Sequence, residues 1–82
     1  MSEFTFSLLF MSGPSVQGTA ERLFIKDEKT ILTINSNHAP LVATLENGFV
    51  QVIKKTGEST KYNYEQAFLI CHDNTATLTV LQ

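Results

Sequence analysis

The chain is predicted to be all-β, a small flattened antiparallel β-sandwich or barrel of about eight to ten short strands. Three observations predict it. Apolar residues recur with a period of two, turn-forming residues fall between those runs, and no window of comparable length sustains helical spacing. Side chains two apart share one face of a strand, so each run can bury one face and wet the other.

The first run is Phe4, Phe6, Leu8 and Phe10, alternating with Thr5, Ser7 and Leu9. Ser12-Gly13-Pro14-Ser15 breaks it. Leu23 and Ile25 then alternate with Arg22, Phe24 and Lys26, and Lys26-Asp27-Glu28-Lys29 suits a polar hairpin tip. Ile31-Leu32-Thr33-Ile34 is a short β-branched run ended by Asn35-Ser36-Asn37. Asn47-Gly48 supplies two residues tolerant of positive φ, fit for a tight hairpin or for the opening of a longer loop. Val50 and Val52, Tyr62 and Tyr64, and finally Ala76, Leu78 and Val80 carry the remaining alternation. Lys55-Thr56-Gly57-Glu58 and His72-Asp73-Asn74 are the turns between them.

Two stretches are apolar on both parities: Leu8-Leu9-Phe10-Met11 and Ala67-Phe68-Leu69-Ile70-Cys71. Either loops of the sandwich cover both faces there, or Leu9 and Met11 belong to an apolar patch that a partner covers.

Length and composition set the other limits. Eighty-two residues make one domain, 1–82, too small to enclose a deep cleft. Hydrophobic residues at 43% and aromatics at 10% fit a globular chain rather than a disordered one. Eight acids against six bases give a net charge of -2, which speaks against nucleic acid as the partner. A single cysteine, Cys71, excludes an internal disulfide. No apolar run reaches the roughly 20 residues of a membrane span, and Met1-Ser2-Glu3 lacks the basic start of a signal peptide. A soluble domain of a reducing compartment is expected.

Catalysis needs a nucleophile beside a base or two carboxylates at working distance. Ser36 with His38 is the one spacing to consider, and near neighbours on a chain rarely converge side by side. A metal site would need Cys71, His72 and His38 to meet, but adjacent strand residues point to opposite faces. Cys71 reads as a small core hydrophobe. Isolated glycines at 13, 18, 48 and 57 make no phosphate loop. Lys54-Lys55, Lys61 and the tyrosines are the sole basic and aromatic set for nucleic acid. No catalytic residue, cofactor or metal is expected. The least generic segment is Asn37-His38-Ala39-Pro40-Leu41-Val42, where Pro40 forces Ala39 into an extended conformation. His38 there suits a neutral ring bonding backbone as the loop enters a strand.

That segment carries a resemblance. His38-Ala39-Pro40-Leu41-Val42, followed by Leu45 and Gly48-Phe49-Val50, resembles the signature of the epsilon subunit of F-type ATP synthases. Phe6-Ser7-Leu8 with the turn at Ser12 and then Gly18 resembles that family's opening, and Leu78-Thr79-Val80-Leu81 the close of its N-terminal sandwich. The resemblance spans nearly the whole chain. It implies a sandwich of about ten strands and a non-catalytic rotor subunit at the foot of the central stalk. That subunit links gamma to the membrane c-ring and couples proton-driven rotation to ATP synthesis. It is peripheral, on the cytoplasmic face of the inner (plasma) membrane.

Residue by residue, Ser12, His38, Ala39, Pro40, Leu41, Val42 and Ala43 match the stretches facing gamma. Asp27, Glu28, Lys29, Thr30 and Ile31 stand in the place of the loop directed at the c-ring. Direct membrane insertion is not implied, and an exposed gamma-facing patch could pair two copies of the isolated domain. Three departures qualify this. The ring-facing stretch from Lys26 to Asn37 has no glycine or proline, so a more regular path is expected there. Gln66-Ala67 replaces a double glycine. The helical hairpin that follows the sandwich in most members has no counterpart here, so a naturally short form without that brake on hydrolysis is expected. The rival reading is a free-standing β-barrel binding oligonucleotide or carbohydrate.

Overall fold

The computed structural model describes residues 3–81; Met1, Ser2 and Gln82 lie outside the described residues. Seven strands form one sheet: β1 (Phe4–Phe10), β2 (Val16–Ala20), β3 (Arg22–Lys26), β4 (Ile31–Ile34), β5 (Leu41–Ile53), β6 (Ser59–His72) and β7 (Thr75–Val80). Their order across the sheet is β2-β1-β7-β6-β5-β3-β4.

The β5–β6 ribbon turns that sheet into a sandwich. A straight strand of 14 residues would run about 43 Å, whereas the longest dimension of the fold is 33 Å. The ribbon therefore bends, and it bends where the side-chain phase slips. On β5 the inward residues are Leu41, Ala43 and Leu45, then Val50 and Val52; on β6 they are Tyr62 and Tyr64, then Ala67, Leu69 and Cys71. A one-residue slip exchanges the faces of a strand. Here both strands slip at the same rungs, so the ribbon keeps one face buried on either side of the crease.

Two residues permit the crease. Asn47 has φ 53°, in the left-handed region that asparagine tolerates better than most side chains. Gly48 lies against the backbone of Lys26 and Asp27. A Cβ there would overlap the Lys26 carbonyl oxygen and come within 2.7 Å of the Asp27 Cα.

The crease divides the sheet into two layers. The first contains β2, β1 and β7 with the C-terminal half of β6 and the N-terminal half of β5. The second contains β4 and β3 with the C-terminal half of β5 and the N-terminal half of β6. Far from the crease, the chain passes between layers at Glu21, whose N–H donates to the Ile53 carbonyl at 2.9 Å. The inward faces share one core, which includes Phe6, Leu8, Leu23, Ile25, Val50, Leu69 and Leu78, each almost wholly buried.

The strand count differs from expectation for a local reason. Runs that read as separate elements are halves of β5 and β6 joined through the crease. Asn47-Gly48 is thus neither a hairpin nor a loop. The type I′ hairpin falls instead at Asp73-Asn74, with φ 50° and 58°. One strand pair also departs from the expected antiparallel pattern: β1 and β7 run parallel, so the sheet is mixed. Turn chemistry shows the β1–β2 and β6–β7 hairpins but not how their free strands meet. β2 alternates in burial but carries little inward bulk, because Gly18 occupies an inward position. Its missing side chain leaves room for the Phe6 ring, 3.4 Å from where a Cβ would sit.

Gly48→Ala should lower stability by at least about 2 kcal/mol, the cost of overpacking against backbone. Gly13→Ala, with open space around it, should stay within about 0.5 kcal/mol of the parent. Denaturant midpoints of the two variants check this.

Candidate functional site

Residues 38 to 43 enter β5 at the end of the first layer away from the crease. His38 Nδ1 lies 2.7 Å from the Ala39 carbonyl, a bond in which the ring donates, and it holds the backbone just ahead of Pro40. The preceding loop is tied down by Asn74. Its Oδ1 accepts the Asn37 N–H at 2.6 Å, and its Nδ2 donates to the Glu3 carbonyl at 3.2 Å. Strand alternation then splits the segment. Leu41 and Ala43 turn inward and pack on the core, while Ala39, Pro40 and Val42 are exposed.

Val42 opens onto the outer face of the first layer. Register places Ser7, Thr77, Ile70 and Val42 in one row and Leu9, Thr79, Phe68 and Thr44 in the next. Thr5, Thr75 and His72 make a third. None of these residues is Lys, Arg, Asp or Glu, in a chain that has fourteen of them. Val42 is 64% exposed, Leu9 and Ile70 are each 38% exposed, and Met11 at the rim is 72% exposed. Of the two explanations for the doubly apolar stretches, the structure therefore selects the exposed patch, and extends it from Leu9 and Met11 to Ile70 and Val42. Sequence reasoning placed neither Ile70 nor Phe68 on a site, because only strand order brings β6 between β7 and β5.

Ser12 lies elsewhere on this layer. It follows β1, whose Phe10 shares a row with Val80, Ala67 and Leu45 beside the crease. Ser12 and His38 thus stand at opposite ends of the layer, with the uncharged face between them.

Within the stretch Asp27 to Ile31, residues Asp27 to Thr30 make a regular four-residue hairpin tip, and Ile31 opens β4 by pairing with Lys26. Asp27 organises it. Its Oδ1 accepts the N–H groups of Lys29 at 2.9 Å and Thr30 at 2.7 Å, and its Oδ2 accepts the Glu46 N–H at 3.1 Å. Asn47 Nδ2 donates to Glu28 Oε2 at 2.7 Å, and the Glu28 N–H to the Glu46 carbonyl at 3.3 Å. The two acids are thereby turned onto the crease, leaving Lys29, Thr30 and Ile31 outermost. Tyr64 adds a hydrogen bond from its hydroxyl to the Lys26 carbonyl at 3.4 Å. Burial, reinforced by the negative charge of Asp27, pushes that phenol up to about 12.

The other candidates do not assemble. Cys71 is buried and its thiol is pushed up by burial, while His72 points outward to Asp73 at 2.9 Å. Among the described residues no three His, Cys, Asp or Glu side chains are grouped to hold a metal ion. Tyr62 and Tyr64 face inward, away from Lys61. Lys61 instead meets phenylalanine, its Nζ lying 4.3 Å from the ring centroid of Phe49.

Partial burial alone would raise the Asp27 carboxyl. The N–H donors of Glu46, Lys29 and Thr30, with the Lys29 ammonium, outweigh it and hold the group below its ordinary value of 3.8. A depressed carboxyl contributes stability that is complete above its unfolded value and is lost as pH falls through the folded one. Asp27→Asn should cost about 1 kcal/mol at neutral pH. The deficit should shrink as pH is lowered through and below 3.8. Urea midpoints of parent and variant across that range measure it.

The family described as "ATP synthase, Delta/Epsilon chain, beta-sandwich domain" matches residues 3–82. A chain in the cryo-EM structure of the Tetrahymena thermophila mitochondrial ATP synthase central stalk and c-ring has the same fold, with a TM-score of 0.76 at 16% identity. The match covers 95% of this chain and 63% of that one, so the chain spans under two thirds of its structural relative. No curated protein matches. The alternating strands, the creased ribbon and the His38–Val42 segment thus have a common explanation: this chain belongs to the ATP synthase delta/epsilon chain β-sandwich family.

Proposed function

We propose that the chain is a non-catalytic rotor subunit of an ATP synthase, linking the gamma subunit to the c-ring so that proton-driven rotation is coupled to ATP synthesis. The observation that carries this reading is the uncharged outer face of the first layer. It combines apolar side chains at Leu9, Phe68, Ile70 and Val42 with a surround of threonines. Exposed apolar side chains with no charge among them suit a protein partner.

Gamma covers that face in this reading, with Ala39, Pro40 and Val42 at one end and Met11 and Ser12 at the other. His38, Leu41 and Ala43 support it from behind by fixing where β5 begins. The outermost residues of the β3–β4 tip, Lys29, Thr30 and Ile31, face the c-ring, with Asp27 and Glu28 anchoring them to the crease. The subunit is peripheral, on the cytoplasmic side of the membrane holding the ring. No residue of the chain does chemistry. When gamma is missing, the same face pairs two copies.

Leu41 points inward, so a charge there would test folding rather than docking. Val42→Asp is the informative change. With the melting temperature held, its affinity for gamma from the same source should fall at least about tenfold. Thr33→Asp, on the outer face of the second layer, should bind as the parent does. Size-exclusion chromatography and calorimetry with gamma supply both readings, and undiminished binding by Val42→Asp would remove this face from the proposal. Added to a catalytic subcomplex with gamma, the β-sandwich should bind without slowing ATP hydrolysis; strong inhibition would mean that the sandwich itself restrains the enzyme.

A further inference from the structure

The outer face of the second layer has the opposite character. Register brings Ile31, Lys26, Phe49 and Asn63 into one row, Thr33, Phe24, Gln51 and Lys61 into the next, and Arg22, Ile53 and Ser59 into a third. Three cations stand there and no carboxylate, in a chain whose net charge is -2. These cations are unspent: the one ion pair among the described residues is His72–Asp73, in the other layer. The face is also braced. Phe24 and Phe49 pack with ring centroids 6.1 Å apart, and the Lys61 ammonium caps the Phe49 ring. Such a cation–π contact positions the ammonium without neutralising it.

From this placement we infer that the Arg22, Lys26 and Lys61 face is a second docking surface, and that its occupant is an extended acidic polypeptide segment. Arg22 and Lys26 are four residues apart on β3, about 13 Å, and Lys61 is two strands away, about 10 Å. Carboxylates three or four residues apart on an extended segment match that triangle. Gln51 lies between the cations, with Asn63 beside Lys61 on β6 and Thr33 on the far side of β3, as hydrogen-bonding partners for its backbone. Two other occupants fit less well. Single-stranded nucleic acid needs an open ring to stack a base on, and the rings here are half-buried, one capped by Lys61 and each leaning on the other. An anionic bilayer needs protruding apolar groups between the cations; Phe24 and Phe49 are half-buried, and the exposed Ile31 stands on the edge strand β4, outside the triangle of cations. The inference rests on charge placement alone and is independent of gamma binding at the other face.

Fluorescence anisotropy of the whole chain with labelled poly-L-glutamate tests it, alongside labelled oligo-dT and phosphatidylglycerol vesicles. Poly-L-glutamate should bind, with affinity falling about tenfold from low to physiological salt as screening grows. The double variant Lys26→Gln, Lys61→Gln should bind at least tenfold more weakly at an unchanged melting temperature, while Thr77→Gln on the first face should bind as the parent. Failure to bind, or equal binding by the double variant, would overturn the inference. Tighter binding to oligo-dT or to the vesicles would overturn it too, reassigning the face to nucleic acid or lipid.

Discussion

The crease in the β5–β6 ribbon is the constraint on which the remaining structure depends. A ribbon that long cannot lie straight in a fold of this size, and the alternation on both strands slips in step where it bends. The close approach of the β3 terminus at Lys26–Asp27 leaves no room for a side chain at Gly48. Asp27 then holds that approach, because its carboxylate satisfies backbone donors on its own hairpin tip and on Glu46 at once. The layers, the shared core and the position of the tip all follow from this one bend.

The bend also creates two outer faces of different chemistry. On the first layer, threonines surround a few aliphatic side chains and no charge intervenes. On the second, three cations stand in rows with half-buried rings and no carboxylate in those rows. These outward faces are what a sandwich this small can offer partners. An uncharged sheet face suits a protein joint whose strength scales with the apolar area it buries. The tip at the crease is held by several hydrogen bonds rather than one, which fixes its shape.

The sequence carries much of this fold, and what it conceals is tertiary. Alternation identifies β1, β3 and β7 because each buries every second residue without interruption. β2 escaped because Gly18 replaces a large inward side chain where the Phe6 ring needs space. Asn47-Gly48 carries hairpin chemistry, yet it makes a crease, since only the tertiary approach of Lys26 and Asp27 decides its use. The parallel β1–β7 pair is invisible to local reasoning, which sees turns and not how hairpins join. The same blindness hid Ile70 and Phe68 from the candidate site. Within the His38–Ala43 segment, the match to family positions could not tell inward Leu41 and Ala43 from outward Val42; strand alternation does.

Methyl NMR of the labelled chain titrated with the gamma subunit tests the division of faces most directly. Docking on the uncharged layer predicts that the methyl signals of Leu9, Val42 and Ile70 shift or broaden, while those of Ile31 and Ile53 on the second layer stay in place. Perturbation of Ile31 and Ile53 with Leu9, Val42 and Ile70 unmoved would contradict it, and would place the joint with gamma on the basic face instead.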